Sequence, residues 1–288
     1  LKPAPREFAA DTHAGLVRNH NEDCFAAEAD LGLWLVADGV GGHAGGEVAS
    51  GIVRDTVRAQ VAAGATLPEA ILRSHEAVLA ALTGGDDDRG MGSTVVALRT
   101  DGDDYELCWV GDSRAYLWNG QLRQLTEDHS RAGELLASNA ITAAEANTHP
   151  ERHVLTQSLG VSGSMSLHPG RVTGTLKPGD HLLLCSDGLT DELSDSLIAH
   201  LLGDHDSPRS QVDALMSAAL DAGGKDNVTV LVVGAVQSRD GNTPSAELET
   251  TKNTRRSASG GRPNDGKFPL RALALVTTLA LLAVWLML

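Results

Sequence analysis

The 288 residues are enough for one large domain or two small ones, and a 42% hydrophobic content supports a sizeable core. The formal net charge of −15 argues against a nucleic-acid partner, because phosphate backbones demand basic surface. The charge is also uneven: 16 Lys and Arg stand against 34 Asp and Glu over residues 1–236, and 7 against 4 over 237–288, so the two parts have different tasks.

In chain order, residues 33–37 (LWLVA) read as a short buried strand running into Asp38-Gly39. The spacing of Val48, Ile52, Val53, Val57 and Val61 predicts a helix over 45–63. A second helix follows. Thr66 caps it, Pro68 fits its first turn, and Ile71, Leu72, His75, Val78, Leu79 and Leu82 share one face. Residues 83–92 form a loop, and strands are predicted at 93–98, 105–110 and 114–118. Asn119-Gly120 is a hairpin signal with 121–125 as the return strand. Residues 135–147 are predicted helical, with Thr142 as a cap, inside an otherwise irregular 126–167. A buried strand at 181–185, helices at 195–202 and 209–222, and a central strand at 228–236 complete the pattern. This is not the regular alternation of a doubly wound parallel sheet. It predicts an α+β fold, with consecutive strands paired antiparallel and helix pairs covering the outer faces of packed sheets.

Cys24, Cys108 and Cys185 are too few and too far apart for a disulfide framework or a zinc knuckle. Cys108 and Cys185 lie inside apolar runs and read as core thiols of a reducing compartment. Trp34, Trp109 and Trp118 sit in strand runs and read as core, and His75 as a core-edge residue. Residues 237–267 are poor in large apolar side chains and rich in Ser, Thr, Asn, Gly and Arg, the composition of a flexible linker. From Ala272 to Leu288 only Thr277 and Thr278 are polar. At about 1.5 Å per residue such a helix spans a bilayer core. Lys252, Arg255, Arg256, Arg262, Lys267 and Arg271 precede it against one acid, Asp265. The positive-inside rule therefore expects a single-pass helix over 268–288 in the inner membrane, with the acidic domain in the cytoplasm.

The glycine-rich stretch after the first strand matches G-x-G-x-x-[GA] through Gly39, Gly41 and Ala44, which raises a dinucleotide-dependent oxidoreductase as one reading. The pattern alone is weak, and the second helix and the acidic loop that follow do not suit it. A hard-cation site is the other reading. Asp38 ends a strand, Asp187-Gly188 follows another, Asp112 follows a third, Asp226 precedes the last strand, and Glu22-Asp23 precede Cys24-Phe25. Any one of these acids is explained as a turn residue. Five such clusters bordering strands from distant parts of the chain point to convergent carboxylates for Mg²⁺ or Mn²⁺.

These residues also carry a family resemblance. Arg18-x-x-Asn21-Glu22-Asp23, Asp38-Gly39-Val-Gly-Gly, Gly92-Ser93-Thr94, Gly111-Asp112-Ser113-Arg114, Ser186-Asp187-Gly188-Leu189 and Lys225-Asp226-Asn227-Val228-Thr229 appear in order. The set resembles the bacterial type 2C, metal-dependent protein serine/threonine phosphatases over roughly residues 8–236. The resemblance implies a central β-sandwich of two antiparallel sheets flanked by helix pairs. It implies a pair of Mn²⁺ or Mg²⁺ ions bridged by Asp38, with Asp187 and Asp226 on one ion and the Gly39 carbonyl on the other. Glu22 and Asp23 would complete the shell, Asp112 with Asp187 would hold a third, weaker ion, and Arg18 would grip the substrate phosphate. The implied reaction is hydrolysis of phosphoserine and phosphothreonine in proteins by a metal-activated water, opposing a Ser/Thr kinase. The proton donor to the leaving oxygen is either His43 or a water. Residues 127–165 fall where the family carries a flap, and its His129, Arg152 and His153 are candidates for substrate contact. A non-catalytic phosphoprotein-binding regulator on the same fold is the alternative function, against which the intact set of acids counts.

Overall fold

The computed structural model describes residues 6–41, 45–82, 90–161 and 167–235. His43, the linker at 237–267 and the apolar run at 268–288 lie outside the described residues. Among those described, no helix is long and apolar enough to cross a membrane.

Among the described residues, eleven strands form two antiparallel sheets. One takes β1 (Phe8–His13), β7 (Arg114–Trp118), β8 (Leu122–Gln124), β10 (His181–Cys185) and β11 (Val228–Gly234) in the order β1-β11-β10-β7-β8. The other takes β2 (Asp23–Glu28), β3 (Leu33–Val40), β5 (Val95–Asp101), β6 (Asp104–Val110) and β9 (Gly170–Thr175) in the order β2-β3-β5-β6-β9. The two-residue β4 (Gly92–Ser93) pairs with the end of β3. The sheets pack face to face through Trp34, Val36, Val96, Leu107, Leu182, Leu184, Leu231 and Val233.

The central strands are apolar on both faces because both faces are covered. Leu33, Leu35 and Ala37 of β3 point away from the sandwich, onto α1 (Gly45–Ala62) and α2 (Leu67–Ala81). On the opposite side Val228, Val230 and Val232 of β11 pack on α6 (Asp195–Gly203) and α7 (Pro208–Ala222). Each fully buried Leu or Val of these layers contributes about 1.5–3 kcal/mol of burial free energy. The expected α+β arrangement of antiparallel sheets and flanking helix pairs is therefore present.

Several elements differ from the sequence reading. The strand expected at 93–98 is broken at Thr94, whose backbone and hydroxyl turn to Asp38. The helix expected over 135–147 is two short ones, α3 (Arg131–Ala137) and α4 (Ala143–Asn147). Asn139 takes a positive φ of 56° between them, and Thr142 is a cap as expected, but of α4 alone, its hydroxyl accepting from the Glu145 N–H at 3.3 Å. Leu72 is 40% exposed, because the buried stripe of α2 runs through Leu67, Ala70, Ile71, Ser74, His75 and Val78 and leaves position 72 to one side. Strands β1, β2 and β9 carried no clear apolar alternation. In β9 the glycines at 170 and 174 lie opposite Trp109 and Tyr105, and those rings cover them. A short α5 (Asp187–Thr190) follows β10 directly.

Candidate active site

All the acids singled out in the sequence border strand ends that the antiparallel registers bring to one end of the sandwich. Asp23 is the first residue of β2 and stands in register with Asp38 of β3. The Asp38 backbone is clamped on both sides: its N–H donates to Thr94 Oγ1 at 3.1 Å. Its carbonyl accepts from Thr94 N at 2.8 Å and from Ser93 Oγ at 3.0 Å. A hydroxyl pair, Thr94 Oγ1 and Ser113 Oγ at 2.7 Å, ties this clamp to the turn that bears Asp112.

Asp23 is held just as firmly. Its Oδ2 accepts from Ser186 Oγ and from Thr229 Oγ1, both at 2.7 Å. Its buried Oδ1 has no partner among the described residues. Asn227 joins three segments: its Oδ1 accepts from Glu22 N at 2.7 Å, and its Nδ2 donates to the carbonyls of Ala14 and His20 at 3.0 and 2.9 Å. That staple fixes the loop carrying Arg18, whose Nη2 lies 2.6 Å from Asp226 Oδ2.

The two Asp-Gly pairs have a shared steric reason. A Cβ on Gly39 would overlap the Gly46 carbonyl, and one on Gly188 would overlap the Asn227 carbonyl. Backbone therefore packs directly on backbone behind each carboxylate. The Gly39 carbonyl oxygen and Glu22 Oε1 flank one spot, 2.8 and 2.7 Å from where a Cβ of Gly46 would lie.

Crowding shapes the electrostatics. Burial, then Asp23, Asp187, Asp112 and Asp226, push the Asp38 carboxyl well above the usual carboxylate range. Burial lifts Asp23 to about 7 against the opposing bonds from Ser186 and Thr229. It lifts Asp112 to about 8, helped by Asp187 and Asp128. Glu22 is also raised by burial, with Arg18 opposing. Carboxylates that resist ionisation because they are buried and repel one another are stabilised by a shared cation. The orphaned Asp23 oxygen and the all-oxygen donor set fit a hard divalent ion such as Mn²⁺ or Mg²⁺.

Among the described residues, Asp112, His153 and Asp187 form a compact grouping whose ligand atoms lie within 4.8 Å of one another. Asp187 and Asp226 both raise Asp38, but the three do not form such a compact group, and Asp226 is turned to Arg18. His153 comes from the flap and places Nδ1 3.6 Å from Asp187 Oδ2 and Nε2 3.4 Å from Asp191 Oδ2, and Asp187 first among its neighbours raises its pKa. His129 turns inward instead, stacking on Trp109 and accepting from Gly111 N at 3.3 Å. Asp191 was missed in the sequence, although its place one helical turn after Asp187 was the available signal. Ser186, Thr229, Asn227, Thr94 and Ser113 were visible as motif letters without a role.

The fold is a two-sheet sandwich with helices on both outer faces and an end lined by carboxylates whose oxygens suit a divalent cation. The protein phosphatase 2C family model matches residues 15–222, and the chain belongs to that family. It is 37% identical over 243 residues to the serine/threonine protein phosphatase PstP of Mycobacterium tuberculosis, covering 82% of this chain and 46% of that protein. The chain thus spans about half the length of this relative. It is 35% identical over 241 residues to the serine/threonine phosphatase stp of Listeria welshimeri, covering 79% of this chain and 94% of that one. The crystal structure of the PstP catalytic domain in complex with two manganese ions superposes with a TM-score of 0.71 at 34% identity, over 81% of this chain and 99% of that one. Stp1 from Staphylococcus aureus superposes at 0.74 and 33%, over 81% and 97%.

Proposed function

We propose that the chain hydrolyses phosphoserine and phosphothreonine in proteins, with two Mn²⁺ or Mg²⁺ ions as cofactors. The observation that carries this reading is the convergence of Asp23, Asp112, Asp187 and Asp226 on Asp38. The ions' donors would be Asp38, Asp187, Asp226 and the Gly39 carbonyl, with Glu22 and Asp23 completing the shell and Asp112 with Asp187 holding a third, weaker ion. When bound, such ions lower the pKa of water and offset negative charge at a phosphoryl group. The chain's own residues do the positioning. Ser186 and Thr229 fix Asp23, and Thr94 fixes the strand end that presents Asp38. Arg18 is exposed at the rim, where its planar fork matches two oxygens of a phosphate. Burial raises the thiols of Cys108 and Cys185 to about 12 and that of Cys24 to about 11, so none is a nucleophile at neutral pH. The test is phosphate release from a phosphothreonine peptide in Mn²⁺ and in EDTA. Release in Mn²⁺ alone is expected, whereas peptide binding without turnover would leave the non-catalytic regulator.

The activity opposes a Ser/Thr kinase acting on the same side chains. Residues 268–288 act as a single-pass anchor in the inner membrane with 237–267 as a tether on the cytoplasmic side, supported by the apolar run and the basic residues before it. Tethering raises the effective concentration of enzyme and membrane-bound substrate. Extraction with alkaline carbonate tests the anchor: the full-length chain should stay in the membrane pellet, and its recovery in the supernatant would refute a spanning helix.

A further inference from the structure

A cavity of about 720 Å³ opens beside the carboxylate cluster, far larger than an ion requires and within the range of about 300–1,000 Å³ typical of ligand pockets. We propose that it is a subsite for a lysine or arginine side chain of the substrate protein, close in sequence to the phosphorylated residue. The inference rests on the phosphatase reading above and adds a sequence preference to it.

Two walls of different chemistry meet there. The flap supplies small and apolar groups from α3 and α4, among them Ala132, Leu136 and Ala146. The segment from α5 to α6 supplies Asp191 and Asp195. Seven carboxylate residues line the cavity against two arginines, Arg114 and Arg152, and His153, which lies between Asp187 and Asp191. Arg114 is already committed, bonding both oxygens of Asp128 at 2.6–3.0 Å. Arg152 reaches Asp191 at 3.8 Å and leaves Asp195 free of it. The Asp195 carboxylate is held in place by the buried Tyr116 hydroxyl, which donates to its Oδ1 at 3.2 Å. Ions at Asp112 and Asp187 would neutralise the inner end of the cavity, and Asp195 would remain for a guest.

A long basic side chain suits such a slot at both ends: its methylene stem lies on the apolar wall and its charged head meets a carboxylate. An acidic side chain is repelled, and an apolar one leaves carboxylates desolvated without a partner. Asp112 and Asp187 belong to both the cluster and the cavity. A peptide with its phosphate at the cluster therefore presents a neighbouring side chain to the cavity mouth.

The experiment is a set of phosphothreonine peptides in an alanine background, with one arginine moved through the positions on either side of the phosphoresidue. One position should raise kcat/KM about tenfold over the alanine peptide, and glutamate there should lower it. In D195N the ratio of arginine to alanine peptide should fall to about twofold, a comparison within one variant that cancels any loss of folded enzyme. Release of p-nitrophenol from p-nitrophenyl phosphate by the wild type in Mn²⁺ reports the underlying chemistry separately. A flat arginine scan by an enzyme that cleaves this small ester overturns the subsite alone, as does a D195N that keeps the full preference. No release from the ester or any peptide overturns the phosphatase reading and the subsite with it.

Discussion

Asp23 and Asp38 stand opposite each other across the β2–β3 ladder, and Asp23 is the first charge that Asp38 feels after burial itself. With Asp23 at about 7 and Asp112 at about 8, the folded metal-free chain holds protons that an unfolded aspartate, near 3.8, has already released. Both folded values are raised, so the stability these groups contribute is fully present below pH ~4 and is lost as pH rises through 7 and 8. Metal-free protein should melt at a lower temperature at pH 8 than at pH 6, with each extra proton worth up to about 1.4 kcal/mol per pH unit. Millimolar Mn²⁺ should restore the loss at pH 8. A melting temperature that climbs from pH 6 to 8 in EDTA would contradict the assignment of these acids as a buried, mutually repelling set.

Asp187→Asn separates charge from fold. The side chain is 23% exposed and starts a four-residue helix, so the amide fits without repacking. Hydrolysis in Mn²⁺ should fall at least about a hundredfold, because a ligand carboxylate is gone. The metal-free variant should melt at or above the wild-type temperature, since one source of repulsion on Asp38 and Asp112 is removed. Unchanged turnover would defeat the site assignment, and a collapsed melting temperature would make Asp187 a structural residue.

Much of this site was legible because its acids sit at strand ends, where a long apolar run meets a polar residue and a glycine. The run HLLLC before Ser186-Asp187-Gly188 and VTVLVV after Asp226-Asn227 show the pattern. What the sequence hid were residues acting through hydroxyls and amides. Thr229 sits inside a run of valines, and nothing local says that its hydroxyl faces Asp23 of a strand 206 positions away. Strand β9 was hidden because Trp109 and Tyr105 of β6 fill the places of glycines 170 and 174, leaving its own residues without an apolar alternation. The flap helices were misjoined because α3 and α4 are each too short for a periodic stripe, so propensity ran through the positive-φ Asn139.

Arg18→Ala should weaken substrate more than metal. The guanidinium is over half exposed and its described contact in the site is Asp226 Oδ2. Loss of the fork should raise KM for phosphopeptides and lower kcat/KM about 10- to 100-fold. Mn²⁺ affinity, read by calorimetry, should hold or improve, because Asp226 loses a competing cation. Weaker Mn²⁺ binding in this variant would mean that Arg18 orients Asp226 for the ion instead of competing with it.

Gly188→Ala tests whether the carboxylates depend on backbone packing behind them. The added methyl would overlap the Asn227 carbonyl and sit 3.4 Å from Val228 Cγ2, and neither belongs to a flexible side-chain tip. Something must shift, and overpacking of this kind costs about 1–3 kcal/mol. Asn227 is the residue that holds Glu22, Ala14 and His20 together, and its backbone N–H donates to Asp226 Oδ1 at 2.8 Å. The displacement should therefore reach Asp226 and the Arg18 loop, not remain local. The expected result is a lower urea midpoint together with weaker Mn²⁺ binding, although the substitution changes no charge. An alanine variant that loses stability but binds Mn²⁺ as tightly as wild type would uncouple the glycine from the site and confine its role to the fold.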